Sequence, residues 1–117
     1  MKLLTQPIKI SDLQEFANCM NPTGEPLVKA VVDIETRQII IGASMHVDEE
    51  EMFLDMGNEQ SHLWGINLYP ALFGTEKFVE FDSMINLRPS QGNKSRSVDN
   101  PEIRKQITTI VMQYVIK

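Results

Sequence analysis

The stretch "LVKAVVDIETRQIIIGA", residues 27–43, decides the reading of this chain. Val28, Ala30, Val32 and Ile34 alternate with Lys29, Val31 and Asp33. That is the period of two by which a strand sends successive side chains to opposite faces. Residues 35–38 are polar and make a turn, and Ile39, Ile40 and Ile41 lead back. β-Branched side chains at this density pack well on a pleated surface and lose rotamer freedom in a helix. An antiparallel hairpin is the expected result.

The flanks extend the pattern. Upstream, residues 11–20 predict a short helix, with Ser11 as cap, Gln14 three positions later, and Leu13, Phe16, Ala17 and Met20 on one face. "NPTGEP" (21–26) breaks it. Downstream, "HVDEEEMFLDMG" (46–57) predicts a second helix. Asp48 would cap it, acids at 49–51 would fill its first turn, and Met52, Phe53 and Met56 would face inward before Gly57 ends it. Residues 58–63 read as a loop or one more helical turn. "WGINLYP" (64–70) predicts a third strand stopped by Pro70, with Trp64, Ile66 and Leu68 on one side and Gly65, Asn67 and Tyr69 on the other. "FVEFDSMINLR" (78–88) predicts a fourth. In it Val79, Phe81, Ile85 and Leu87 oppose Glu80, Asp82, Met84, Asn86 and Arg88. Pro101 suits the first position of a last helix, which Asn100 can cap. Its apolar stripe runs through Ile103, Ile107, Ile110, Val111, Tyr114 and Val115.

The expected order is α-β-β-α-β-β-α. It implies an α+β fold in a single domain spanning 1–117: a four-stranded, mainly antiparallel sheet with helices on one face. The other face would then present Asn67, Tyr69, Glu80, Asp82, Asn86 and Arg88 to solvent.

Bulk properties bound the function. A chain of 117 residues with 42% hydrophobic and 23% charged content buries one core without disulfides or metal. The net charge of −5 repels nucleic acid and anionic membrane. Cys19 is the only cysteine, so no internal disulfide, four-Cys zinc site or CxxC motif exists. The opening "MKLLTQPIKI" is too polar for a signal peptide, and no apolar run approaches a membrane span. A reducing, cytoplasmic location is expected.

Positive charge is concentrated in one place. Arg88, Lys94, Arg96, Arg104 and Lys105, five of the eleven Lys and Arg, fall within residues 86–105. Backbone amides at a helix start attract anions, and a Gly- and Ser-containing loop can wrap one. Asp99 and Glu102 already put negative charge at that helix start, however. Arg88, Asn93 and Ser95, with Asn67 and Asn86 on the adjoining strands, are therefore the better candidates for a small anionic ligand. No P-loop or dinucleotide spacing is present, and no aromatic residue interleaves the basic run, which disfavours nucleic acid. His46 and Asp48 offer acid–base chemistry or two metal ligands, but acids in a first helical turn need only the helix dipole to explain them. Asp82, paired on its strand with Glu80, is a third candidate acid. No complete catalytic constellation, cofactor motif or resident metal motif stands out. Met112, off the stripe of the last helix, points to a protein partner or homo-oligomer.

Three stretches taken together, "GASMHVDEE", "LWGINLYP" and "INLRPSQGNKSRSVDNPEIRKQI", resemble a small prokaryotic family catalogued as a domain of unknown function. The likeness spans residues 28–116. The family form has a GGExH-like segment where this chain carries Ala43 and Ser44. The resemblance implies a shared fold and directs attention to His46, Asp48, Trp64, Asn67, Asn86, Arg88, Gly92, Asn93 and Ser95. Two functions follow as expectations. One is a binding or interaction module that uses the open sheet face or the 88–97 loop. The other is a small enzyme or receptor for an anionic or phosphorylated ligand, built on His46, Asp48 and the Arg88–Arg96 loop. The second requires His46 and the Arg88 loop to converge on one concavity.

Overall fold

The computed structural model describes residues 1–21 and 23–117; Pro22, in the predicted 21–26 breaker, lies outside them. The hairpin forms as expected. β3 (Val28–Asp33) pairs antiparallel with β4 (Gln38–Ile41), from Ala30 opposite Ile41 to Asp33 opposite Gln38. Asp33 closes the turn by accepting the Glu35 and Thr36 N–H groups, each at 2.9 Å. β5 (Leu63–Leu68) pairs with the other edge of β3 along its whole length.

The sheet has five strands rather than four. β1 (Lys2–Leu3) adds to β4, and β6 (Val79–Glu80) adds to β5, giving the order β1-β4-β3-β5-β6 with every pair antiparallel. A separate two-stranded ladder joins β2 (Ile8–Lys9) in parallel to β7 (Val115–Ile116). Strands of two residues carry no periodicity, so the sequence gives them no signal.

The helices cover both faces of the sheet rather than one. α1 (Ile10–Met20) and α3 (Pro101–Tyr114) bury Leu13, Ala17, Ile107, Ile110 and Val111 against Ala30, Val32, Ile39, Ile41, Trp64, Ile66 and Leu68. α2 (His46–Asp55) lies on the opposite side, where Phe53 packs with Val31, Ile40 and Leu63. The expected open polar face is therefore covered at Asn67 and Asn86 and only partly so at Tyr69, Asp82 and Arg88, while Glu80 stays exposed. A β3 with Val31 as well as Val32 buried needs apolar cover on both sides.

Helix starts also differ from expectation. α1 begins at Ile10 with Lys9 at the cap position and no side-chain cap bond, so Ser11 lies inside the helix. α2 begins at His46 behind Met45, and Asp48 sits within the first turn instead of capping it. Asn100 does cap α3, accepting the Glu102 N–H at 2.9 Å. Cys19 is exposed. Among the described residues no helix is long and apolar enough to cross a membrane.

The predicted fourth strand survives only as β6. Beyond it Ser83 accepts the Ile85 N–H and starts a single 3-10 turn, Met84–Asn86. That turn packs flat on β5 because residue 65 is glycine: a Cβ there would lie 2.6 Å from the Ser83 Cβ. The side chain of Asn86 then takes the place of the missing strand. Its Oδ1 accepts the Gly65 N–H at 2.8 Å, and its Nδ2 donates to the Gly65 carbonyl at 2.9 Å. Asn86 is fully buried, not solvent-facing.

Candidate functional site

The conspicuous motif residues of the 86–99 segment hold the chain to itself. Asn93 is 4% exposed. Its Nδ2 donates to the carbonyls of Asn86, Ser95 and Ser97, and its Oδ1 accepts the Asp99 N–H. Arg88 and Asn93 exchange backbone hydrogen bonds across a tight turn, in which Gly92 takes the left-handed φ of 83° that favours glycine. The Arg88 guanidinium donates to the carbonyls of Gln60 and Leu63, both at 2.6 Å, and lies 4.1 Å from the Trp64 ring centroid. Burial lowers its pKa, an effect that the nearby Glu50 carboxylate opposes. Ser95 donates to Asp99 at 2.6 Å. With that bond and the Lys94 N–H, the Asp99 carboxyl is held below its usual pKa.

His46 and Arg88 do not meet. His46 is the first residue of α2 and reaches Ile66, whereas Arg88 is bound at Gln60 and Leu63, beyond the other end of β5. What the loop does bring to His46 is Arg96. The Arg96 carbonyl accepts from Asn86 Nδ2 at 3.0 Å and from the Ser83 N–H at 3.0 Å, which fixes its backbone. Its guanidinium pairs with Asp82 at 2.9 Å. His46, Asn67, Asp82, Arg96 and Lys29 then line one cavity of about 210 Å³, with Met45, Val47 and Met84 at its mouth. Asp48 does not line it.

The chemistry of this cavity follows from its hydrogen bonds. His46 is 8% exposed, and its Nε2 lies 2.7 Å from the Ile66 carbonyl. A carbonyl only accepts, so Nε2 carries the proton and Nδ1 of the neutral ring is left as a base. Burial lowers the pKa of the ring, more than the Ile66 bond raises it, and Lys29 lowers it further. The imidazole is therefore neutral at pH 7. Asn67 is 5% exposed; its Nδ2 donates to Glu80 at 2.8 Å and to the Asp82 carbonyl at 3.3 Å. Asn67 Oδ1 is near enough to favour a charged His46 ring, yet it makes no hydrogen bond of normal geometry. Asn67 Oδ1 is itself out of reach of solvent, so its nearest polar company is the His46 ring. Tyr69 donates to the same Glu80 carboxylate at 3.1 Å; burial first, then that contact, pushes its pKa up to about 12.

Residues 2–114 match the family model described as "Protein of unknown function (DUF5674)". The chain belongs to this family. Comparisons with curated proteins and with solved structures found no match. DUF5674 membership thus carries the fold and leaves the chemistry to be argued from the cavity.

Sequence reading found three of the cavity residues: His46, Asn67 and Asp82. It did not find Lys29, Met45 or Met84, and it carried Arg96 only as the end of the Arg88–Arg96 loop expected to meet His46. Lys29 was legible as the lone cation of an apolar strand, and lone charges on buried strands are a usable signal.

Proposed function

We propose that this DUF5674 protein is a small binding module whose receptor is the His46 cavity. The observation that carries the reading is the convergence of a neutral histidine, His46, with Asn67, Lys29 and Arg96 on one concavity. A ligand that fits offers an N–H donor to the free imidazole nitrogen and an anionic edge to Lys29 and Arg96. The Asp82–Arg96 pair is about half exposed, so little energy is needed to exchange one partner for a ligand group. A volume of about 210 Å³ lies below the range of about 300–1,000 Å³ usual for drug-sized ligands, which suits an amino acid or a single side chain.

Binding is favoured over catalysis because Asp82 bonds to Arg96 rather than to the imidazole. The Ser83 hydroxyl is used as an acceptor for Ile85, and Asp48 stands elsewhere. A base without an orienting acid or a nucleophile in reach is half of a catalytic pair. In this reading His46, Asn67 and Asp82 line the receptor. Asn86, Arg88, Asn93 and Ser95 hold the loop that delivers Arg96.

The test is a thermal-shift panel of amino acids, dipeptides, nucleobases and phosphosugars, followed by long-range ¹⁵N spectra of the His46 ring. A binder is expected to raise the melting temperature by mass action and to move the Nδ1 resonance. Both effects should vanish in His46→Gln. A shift that persists in both His46→Gln and Asn67→Ser, or a panel in which nothing touches the ring, overturns the reading.

A further inference from the structure

Six of the seven methionines line concavities that border α2 or the end of α1; Met112, on α3, does not. Met45 and Met84 belong to the His46 cavity. The other four border a separate open groove of about 780 Å³ between α2, the end of α1 and residues 42–44. The α2 wall presents Asp48, Glu51, Met52, Asp55 and Met56, positions i, i+3, i+4, i+7 and i+8 of one helix face. Three acids and two methionines share it. Met20 and Met56 across the groove are 38% and 44% exposed. Asp48, Glu51 and Asp55 make no ion pair or side-chain hydrogen bond among the described residues, and no Lys or Arg lines the groove. The facing wall is fixed, because the buried Glu49 carboxyl accepts the Ala43 N–H at 3.0 Å.

We infer that this groove docks a basic amphipathic helix of a partner protein. Methionine is unbranched and polarisable, so a methionine-lined wall adapts to whatever apolar side chains enter it. Unpaired carboxylates between the methionines ask for Lys or Arg at matching spacing, and this charge complementarity selects a cationic partner. The stripe from 48 to 56 covers eight steps, about 12 Å of helix, so it meets about two turns of a partner whose contacts repeat at three and four residues. Among the described residues no three His, Cys, Asp or Glu gather to hold a metal. The acids form a line and not a cage. The chain's own basic segment is a poor occupant, since Arg88, Arg96 and Arg104 are engaged internally.

The probe is a fluorescein-labelled Leu/Lys peptide of about eighteen residues with helical periodicity, beside a peptide of the same composition in scrambled order. Anisotropy is expected to give saturable one-to-one binding to the first, with affinity falling as salt rises. Glu51→Gln/Asp55→Asn should weaken it by roughly tenfold, and Met20→Ser/Met56→Ser should do so as well, while the control Glu76→Gln/Glu102→Gln stays within about twofold. In methionine-methyl spectra Met20, Met52 and Met56 should shift and Met112 should not. Several results overturn the inference: absence of binding, equal affinity for the scrambled peptide, equal weakening by the control pair, or a shift of Met112 with the rest. Movement of the groove methionines by Ca²⁺ or Mg²⁺ alone, or by self-association without peptide, overturns it too.

Discussion

Glu49→Gln should flatten the pH dependence of stability. Glu49 is fully buried on the inner side of α2. Its Oε2 accepts the Ala43 N–H and its Oε1 has no partner. Burial raises its pKa from the ordinary 4.5 to about 9, against the opposing pull of the Ala43 bond and of Lys29, and with a smaller push from Asp48. Between these two values the native state holds a proton that the unfolded chain has lost. Stability therefore falls as pH rises, by about 1.4 kcal/mol per unit, and the loss is complete only above the folded pKa. His46 acts in the opposite sense, since burial lowers its pKa, but only below its unfolded value of 6.5. The clean window is pH 6.5 to 8.5, where the Glu49 contribution amounts to about 3 kcal/mol. Urea unfolding of both proteins at steps of half a unit measures it through the midpoints at fixed m-value. The wild type should lose close to that amount across the window, and the glutamine variant should stay nearly level. Parallel curves for the two proteins would mean that Glu49 titrates normally and that its burial has been compensated by something other than a proton.

Three further substitutions probe the clamp that replaces the fourth strand. Asn86→Ala leaves the Gly65 N–H and carbonyl without the side chain that serves them and the Arg96 carbonyl with the Ser83 N–H alone, so denaturant unfolding should show a loss of about 3 kcal/mol. Arg88→Lys keeps the charge but not the fork that serves two carbonyls or the flat contact with Trp64; the same measurement should show a loss of about 2 kcal/mol. Gly65→Ala drives a methyl into Ser83, and a loss of about 1–3 kcal/mol is expected. Ser83→Gly in the same chain should return part of it, whereas a loss untouched by that second change would place the strain elsewhere.

The β3–β4 hairpin and α3 were legible because their apolar residues obey a period over many positions. The segment 78–88 was misleading for the same reason. Val79, Phe81, Ile85 and Leu87 alternate, yet the chain turns after Glu80, because Ser83 and Asn86 offer side-chain hydrogen bonds that compete with a ladder. α2 was legible as a helix but not in orientation. Its buried face is His46, Glu49, Glu50 and Phe53, while Val47, Leu54 and Met56 are exposed. Counting apolar positions cannot find a helix that turns its carboxyls inward. Only the sheet beneath it, with Lys29 set in an apolar strand, hints that polar company is needed there.

Residues 85–107 spend many of their polar groups on backbone carbonyls and amides: Asn86 on Gly65, Arg88 on Gln60 and Leu63, Asn93 on three carbonyls, Arg104 on Val98. Asn86 and Asn93 have no donor to give a ligand without unfolding part of the loop, and the one Arg88 nitrogen without a partner, Nε, is buried. Two of the five clustered cations, Arg88 and Arg104, thus act as hydrogen-bond donors for an irregular segment that lacks a sheet to satisfy it, and Arg96 pairs with Asp82. Around α2, Lys29 lines the His46 cavity, and Asp48, Glu51 and Asp55 line the groove without an ion pair among the described residues. Buried carboxyls and a neutral histidine facing a sheet cost stability, while exposed methionine and valine gain none.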